Sequence, residues 1–386
     1  MMKQDLKNQT IFSFALLCPI FLVFSLLLSR WYDGHQQDFA NYWQAGHMIL
    51  AGQNVYDSEE WVSVRLIERT AYHSEPTFQY PLPVAVLFSL LAWLPVQSAY
   101  ILWMFLDQVA ILISITILLN FSPARSGYLG LLAIAGIFLF RPVFFVLYSG
   151  QLVVFLLLLL TISIRLFRIH KWFWGGFALS FLALKPSIGF PIFLFSGLWL
   201  LFRKKWQGIW GMIAGGFVLL LIGMAVNYRW PIDYINIGEY SLSKYYGMHP
   251  TLWGVVGKLF KTDIAGIAVG LVCVAFVFAV ATYLFWKNKS EIEAFSAFAI
   301  ILPAGLLVSP YSWHYDQILL VVSIVFLLIN ISAKYGLGRA ALFMFGILAL
   351  AFATIAAAYP LGHDVLSFLN SLVIWIFSLY FVAKNN

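Results

Sequence analysis

The chain has 386 residues, 62% hydrophobic and only 10% charged, with a mean hydropathy of +0.88. So few charges could not cover a soluble protein of this length, and apolar runs of about 18 or more residues recur from end to end, which marks a polytopic membrane protein. The formal net charge of +7 gathers in short links between apolar runs (Arg203 to Lys205, Lys287 and Lys289, Lys334 and Arg339), where the positive-inside rule places it, and does not point to nucleic acid.

Hydropathy predicts an all-α fold of about 12 transmembrane helices in one integral membrane domain, residues 1–386. The candidate helices are 11–29, 82–94, 97–119, 128–148, 151–167, 173–184, 187–202, 209–227, 263–286, 294–308, 317–332, 340–358 and 366–383. The first run lacks an Ala-x-Ala-like exit and is followed by Arg30-Trp31-Tyr32, so it reads as a retained helix rather than a signal peptide. Two long polar stretches interrupt the series, 30–81 and 228–262. Within 30–81, the apolar positions from Phe39 to Ala51 recur at helical spacing, and Gly52-Gln53-Asn54 supplies turn chemistry. A second stretch from Ser58 to Thr70 offers Ser58 as N-cap, with Glu59 and Glu60 in the first turn. Both read as short helices lying along the membrane surface.

Lysine and arginine near helix ends set the orientation. Lys3 and Lys7 place the N-terminus in the cytoplasm, so 30–81 and its many acids lie outside. Counting back from Lys384, "SPYSWHYD" and "YPLGHD" emerge on that same external face, and the C-terminus is cytoplasmic. In the middle, "RLFRIHK" (165–171) and "RKK" (203–205) are both basic. A hairpin of 173–184 and 187–202 keeps both inside and lifts Lys185-Pro186 outward; parity then makes 128–148 re-entrant, broken at Arg141-Pro142.

Ionisable residues within apolar runs are expensive and mark cavities or pairs. Asp107 reads equally as a functional residue and as a structural acid that pairs within the bundle or caps a helix turn. Lys185, in "ALKPSIG", is a cation beside a proline that starts a helix, a combination suited to an anion such as phosphate; the alternative is a snorkelling lysine. Arg141 carries the same two readings. In "SPYSWHYDQILL" an interfacial aromatic belt accounts for Tyr311, Trp313 and Tyr315 but not for His314 and Asp316. Asp38, just ahead of an aromatic helix, either caps that helix or does chemistry. The seven His residues are scattered without ligand spacing, and there is neither a P-loop nor a Rossmann fingerprint. Cys18 and Cys273 sit in apolar runs and imply no disulfide framework.

In this order, "DFANYWQAGHMILAGQNVYD", "FQYPLPVAVLFSLLAWLP", "YSGQLVVFLLLLL", "GGFALSFLALKPSIGFPIFLFSGLWLLFRKKWQG" and "SPYSWHYDQILLVV" resemble the membrane-embedded GT-C glycosyltransferases. The group they resemble is glycosyltransferase family 87, the polyprenyl-phosphate-mannose-dependent mannosyltransferase-like enzymes. The resemblance implies a polytopic fold, a catalytic acid in the first external loop, a lipid-linked sugar donor and an external glycan or glycolipid acceptor. Asp38 falls on the family's catalytic carboxylate position. Tyr80-Pro81, Gln151, Lys185-Pro186 and Tyr315-Asp316 fall on its other recurring positions. Two departures are Leu82, where Tyr-Pro-Pro is usual, and His314, where an acid is frequent.

The resulting expectation is an inverting hexosyltransferase of the plasma (inner) membrane with an external active site. Asp38 would be the general base, Lys185, Arg141 and His314 would receive the donor phosphate, and Tyr42, Tyr80, Gln151, Tyr311, Tyr315 and Asp316 would line the substrate pocket. A divalent metal is compatible with this chemistry but no spacing calls for one, and the residues do not fix an oligomeric state. The competing reading is a secondary transporter or a flippase for lipid-linked sugars, which would share the many helices and midplane charges.

Overall fold

The computed structural model describes residues 17–30, 38–68, 77–122, 127–244, 247–260, 264–287 and 292–385. Every regular element among them is helical. The chain forms two compact units: Met1–Phe78, Val84–Leu112 and Leu147–Gln151 make the first, and Gln79–Pro83, Ile113–Val146 and Leu152–Asn386 the second.

The first unit contains α1 (Leu17–Ser29), α2 (Asp38–Leu50), α3 (Ser58–Glu68), most of α4 (Leu82–Ser89) and the first part of α5 (Val96–Leu119). Residues 11–16 of the first expected helix, and Lys3 and Lys7, lie outside the described residues. Gln108 on α5 donates to Ser25 Oγ at 2.8 Å and to the Phe21 carbonyl, a polar tie between two apolar helices. Both helices foreseen in 30–81 are present, but α2 is no surface helix. It buries Phe39, Ala40, Tyr42, Trp43, Gln44, Ala45, Gly46 and Met48, which is nearly its whole circumference. It crosses α4 so closely that a Cβ at Gly46 would strike the Phe88 backbone. Phe39, Phe88, Tyr100 and Trp103 gather around it. The cap of α3 is Asp57 rather than Ser58: its Oδ1 accepts from the Glu59 and Glu60 amides at 2.9 and 3.0 Å. A carboxylate one residue earlier reaches the same orphan N–H groups with a full charge.

The second unit runs through α6 (Gly127–Leu139), the start of α7 (Arg141–Ser149), α8 (Val153–Arg168), α9 (Trp172–Leu179) with a 3-10 extension (Ser180–Leu184), α10 (Pro186–Phe202) and α11 (Trp206–Met224). It continues with α12 (Trp230–Lys244) and α13 (Leu252–Phe260), which fill the second polar stretch, then α14 (Ile264–Lys287) and α15 (Ala294–Val308). A 3-10 helix (His314–Leu320), α16 (Val321–Tyr335), α17 (Leu337–Leu361), a 3-10 turn (Val365–Ser367) and α18 (Phe368–Asn385) complete it. Every residue of α15 except Ser296 is buried, and α8, α10, α14, α16 and α18 pack on it.

Among the described residues, length and composition qualify six helices to cross a membrane, Val96–Leu119, Trp206–Met224, Ile264–Lys287, His314–Tyr335, Leu337–Leu361 and Val365–Lys384. The pair α6 and α7, bent by 56° at the expected break, would be a seventh. This falls short of about 12. The remaining apolar helices are short among the described residues: α15, at 15 residues, rises only about 23 Å against a hydrocarbon core of roughly 30 Å. Such helices are tolerated where protein rather than lipid surrounds them, as it does α15. At Lys185 the 3-10 extension of α9 gives way to α10, and Gly189 lets the two meet closely, since a Cβ there would collide with the Leu182 carbonyl. The far ends of the two arms of the expected hairpin meet again, with the Trp172 and Trp199 rings 6.1 Å apart and the Arg203 guanidinium 5.6 Å from the Trp172 ring, while α9 packs chiefly on α8 and α11.

Glycine makes the α9–α11 contact possible. A Cβ at Gly211 would lie 2.9 Å from the Phe173 carbonyl carbon and from the Phe177 amide, and one at Gly215 would lie 2.9 Å from the Phe177 carbonyl oxygen. Small residues that let backbones approach are a general means of helix association in lipid. Gly211→Leu should therefore cost about 1–3 kcal/mol through overpacking. Gly216→Ala, on the same helix with open space around it, should leave the thermal midpoint in detergent unchanged; equal midpoints for the two variants would refute the packing.

Candidate active site

The residues singled out in the sequence fall into two polar constellations, one in each unit. In the first unit Asp38 opens α2, and Tyr42 lies one turn further along the same face. Gln151 connects them. Its Nε2 donates to Asp38 Oδ2, and its Oε1 accepts from the Tyr42 hydroxyl at 2.9 Å. Gln151 and Tyr42 are fully buried, whereas Asp38 is half-buried.

The "YSGQ" turn is what presents Gln151. Gly150 adopts φ +66°, where a side chain would be strained and would also meet Phe39. The turn is pinned by Tyr100, whose hydroxyl donates to the Tyr148 carbonyl at 2.5 Å, and by Trp103 Nε1, which donates to the Gly150 carbonyl at 3.1 Å. Tyr42 stacks on Phe88 with centroids 4.7 Å apart. The carboxylate is thus oriented by an amide that is itself fixed at its other end.

In the second unit Lys185 Nζ meets Asp316 Oδ1 at 2.5 Å, with both residues buried. The ammonium also lies 4.6 Å from the Tyr315 ring centroid. Asp316 Oδ2 accepts the Trp313 amide at 2.8 Å, so the same acid starts the 3-10 helix. The anion that "ALKPSIG" invites beside Lys185 is therefore supplied by the chain itself.

Arg141, at the break between α6 and α7, forms a two-pronged pair with Asp364 at 3.2 and 3.3 Å and donates to Ser367 Oγ at 3.0 Å. His314 Nδ1 comes within 2.9 Å of Asp364 Oδ2, outside hydrogen-bond geometry, and its ring stands edge-on to Phe145 at 4.6 Å. Burial alone would raise the Asp364 carboxyl; His314, Ser367 and Arg141 outweigh it and hold the group below its usual value. Asp364 and Ser367 are the functional candidates that sequence reasoning missed. The available signal was "YPLGHD", whose one acid sits in a link assigned to the face of "SPYSWHYD".

Tyr311 is half-buried, its hydroxyl accepts from Trp313 Nε1 at 2.9 Å, and the His249 ring lies 4.3 Å from its own. Burial pushes the His249 imidazole down to about 4, so it packs as a neutral ring at physiological pH. Tyr80 is half-buried in the Gln79–Pro83 segment of the second unit. Asp107 is buried on α5 with Oδ2 lacking a hydrogen-bond partner among the described residues, so the pairing foreseen for it is not seen at that atom. Among the described residues no three His, Cys, Asp or Glu side chains gather as a metal site.

The sequence model of glycosyltransferase family 87 matches residues 78–310. The chain belongs to glycosyltransferase family 87. It is therefore a glycosyltransferase, and with its long apolar helices an integral membrane protein. The reading as a transporter or flippase gives way accordingly. None of the curated proteins compared with the chain matches it. The family match includes Tyr80, Arg141, Gln151 and Lys185; Asp38 and the stretch Tyr311 to Asp316 lie beyond its ends.

The Lys185–Asp316 pair yields a double-mutant test. Removing one partner of a buried pair typically costs about 3–5 kcal/mol, whereas replacing both with apolar groups is often neutral. Lys185→Met should lower the thermal midpoint strongly, and Lys185→Met with Asp316→Leu should recover most of the loss. A double variant no more stable than the single would contradict a pair that balances itself.

Proposed function

We propose that the enzyme transfers a hexose, mannose by family resemblance, from a polyprenyl-phosphate donor to an external glycan or glycolipid acceptor, with inversion at the anomeric carbon. Asp38 is the general base. It takes the proton of an acceptor hydroxyl as that oxygen attacks the anomeric carbon. The bond from that carbon to the phosphate oxygen breaks, and polyprenyl phosphate leaves with the bonding pair. The Tyr42–Gln151–Asp38 array carries this reading, because a base must be held at hydrogen-bond reach in one orientation. A buried amide with both ends engaged does that, while leaving the carboxylate half-buried rather than sealed.

The leaving phosphate needs positive charge. Lys185 spends its charge on Asp316 and would have to exchange partners. Arg141 and His314 gather on one carboxylate, Asp364, which makes this cluster the other candidate to receive a phosphate. A lipid-linked donor accords with an enzyme embedded in the bilayer. The external face of the inner membrane and the cytoplasmic termini follow from the positive-inside count.

The test uses purified full-length protein in nanodiscs with synthetic polyprenyl-phosphate mannose and a pool of acceptor glycolipids. Release of polyprenyl phosphate together with an anomerically inverted product is expected. Gln151→Leu should lower kcat by about 10–100-fold with KM for the donor little changed, since a misplaced base loses rate rather than binding. Transfer from a nucleotide sugar without the lipid donor would overturn the donor assignment. A Gln151→Leu enzyme with wild-type kcat would overturn the orienting array.

A further inference from the structure

A different surface lies on the lipid-exposed side of the second unit. Helices α14 and α18 both pack on the largely buried α15 and make little contact with each other. Between them runs an open groove of about 400 Å³ with an entirely apolar lining, which includes Phe276, Val280, Tyr283 and Leu284 of α14 and Leu379 and Ala383 of α18. This volume lies within the roughly 300–1,000 Å³ of ordinary ligand sites. Both helices are long and apolar enough to cross a membrane, and only 22% of the α14 span is buried, so hydrocarbon is the medium that reaches the groove.

One end of the groove is cationic. The α14 stripe of Phe276, Val280 and Leu284 continues one turn further to Lys287, and Lys384 directly follows Ala383 on α18. Lys384 Nζ donates to the Tyr380 hydroxyl at 3.2 Å. Lys334 lies in the last turn of α16, which packs on α18. Lys287, Lys334 and Lys384 are all exposed. Like charges held side by side repel unless an anion joins them.

We infer that this groove and its lysine end form a binding site for an anionic phospholipid. One acyl chain would lie along the apolar lining, and the headgroup phosphate would sit among Lys384, Lys334 and Lys287. Charge complementarity selects the anionic headgroup, and the positive-inside rule assigns these helix ends to the cytoplasmic leaflet. The site is independent of sugar transfer and does not rest on any role of Asp38.

The experiment measures the thermal midpoint of the full chain in detergent while dioleoylphosphatidylglycerol, dioleoylphosphatidylcholine or inorganic phosphate is titrated. A saturable rise with phosphatidylglycerol alone is expected. The variant Lys287→Gln, Lys334→Gln, Lys384→Gln changes exposed side chains only, and should bind phosphatidylglycerol at least about tenfold more weakly, as the loss of several favourable lysine–anion contacts implies. Ala383→Trp, which fills the groove, should blunt the same response. Equal responses to the two lipids, a full response to phosphate without lipid, or wild-type phosphatidylglycerol affinity in the triple lysine variant would each overturn the site.

Discussion

The buried ion pair between Lys185 and Asp316 states the condition that the polar architecture of this chain obeys. A charge surrounded by hydrocarbon and protein is tolerable only beside its complement. Here the complement lies 131 residues away in the chain. Arg141 and Asp364 repeat the arrangement across 223 residues. Each of the four charges sits where a helix breaks or begins: Arg141 at the bend between α6 and α7, Lys185 at the turn into α10, Asp316 in the 3-10 helix before α16, and Asp364 just after α17. Broken helices release backbone groups that need partners, and they also give long side chains room to converge. The breaks and the charges are two aspects of one solution.

Asp38 follows a related rule on a smaller scale. A neutral amide holds it, and that amide is fixed by a tyrosine hydroxyl. An amide partner orients without neutralising. The aromatic packing of Phe39, Tyr42, Phe88, Tyr100 and Trp103 around α2 makes the arrangement rigid, which accounts for the concentration of aromatic and small residues in "DFANYWQAGHMIL".

Much of this was legible in the sequence, for reasons that differ from place to place. Helices α2 and α3 showed through because apolar residues recur at helical spacing between clear turn signals. The bend at Arg141 showed because a proline follows it. The number of membrane spans did not show: an apolar run such as α15 looks the same whether lipid or protein surrounds it, and here protein does. The near-total burial of α2 was hidden for the same reason. Lys185, Arg141, His314 and Asp316 stood out as residues too polar for their surroundings, but their partners did not. Pairing across more than a hundred residues leaves no trace in spacing, so Asp364 in "YPLGHD" passed as a loop acid. Gln151 was visible only through family resemblance; nothing in its local sequence announces that it will hold Asp38.

The account depends most directly on Asp38 acting in the chemical step rather than in folding or donor binding. The decisive measurement compares wild type with Asp38→Asn in nanodiscs, following binding of a labelled polyprenyl-phosphate mannose and single-turnover sugar transfer on the same preparations. The account predicts unchanged donor affinity with transfer slowed by about 10²–10⁴-fold, the usual cost of removing a positioned base. Wild-type transfer by Asp38→Asn, or loss of donor binding equal to the loss of rate, would contradict it.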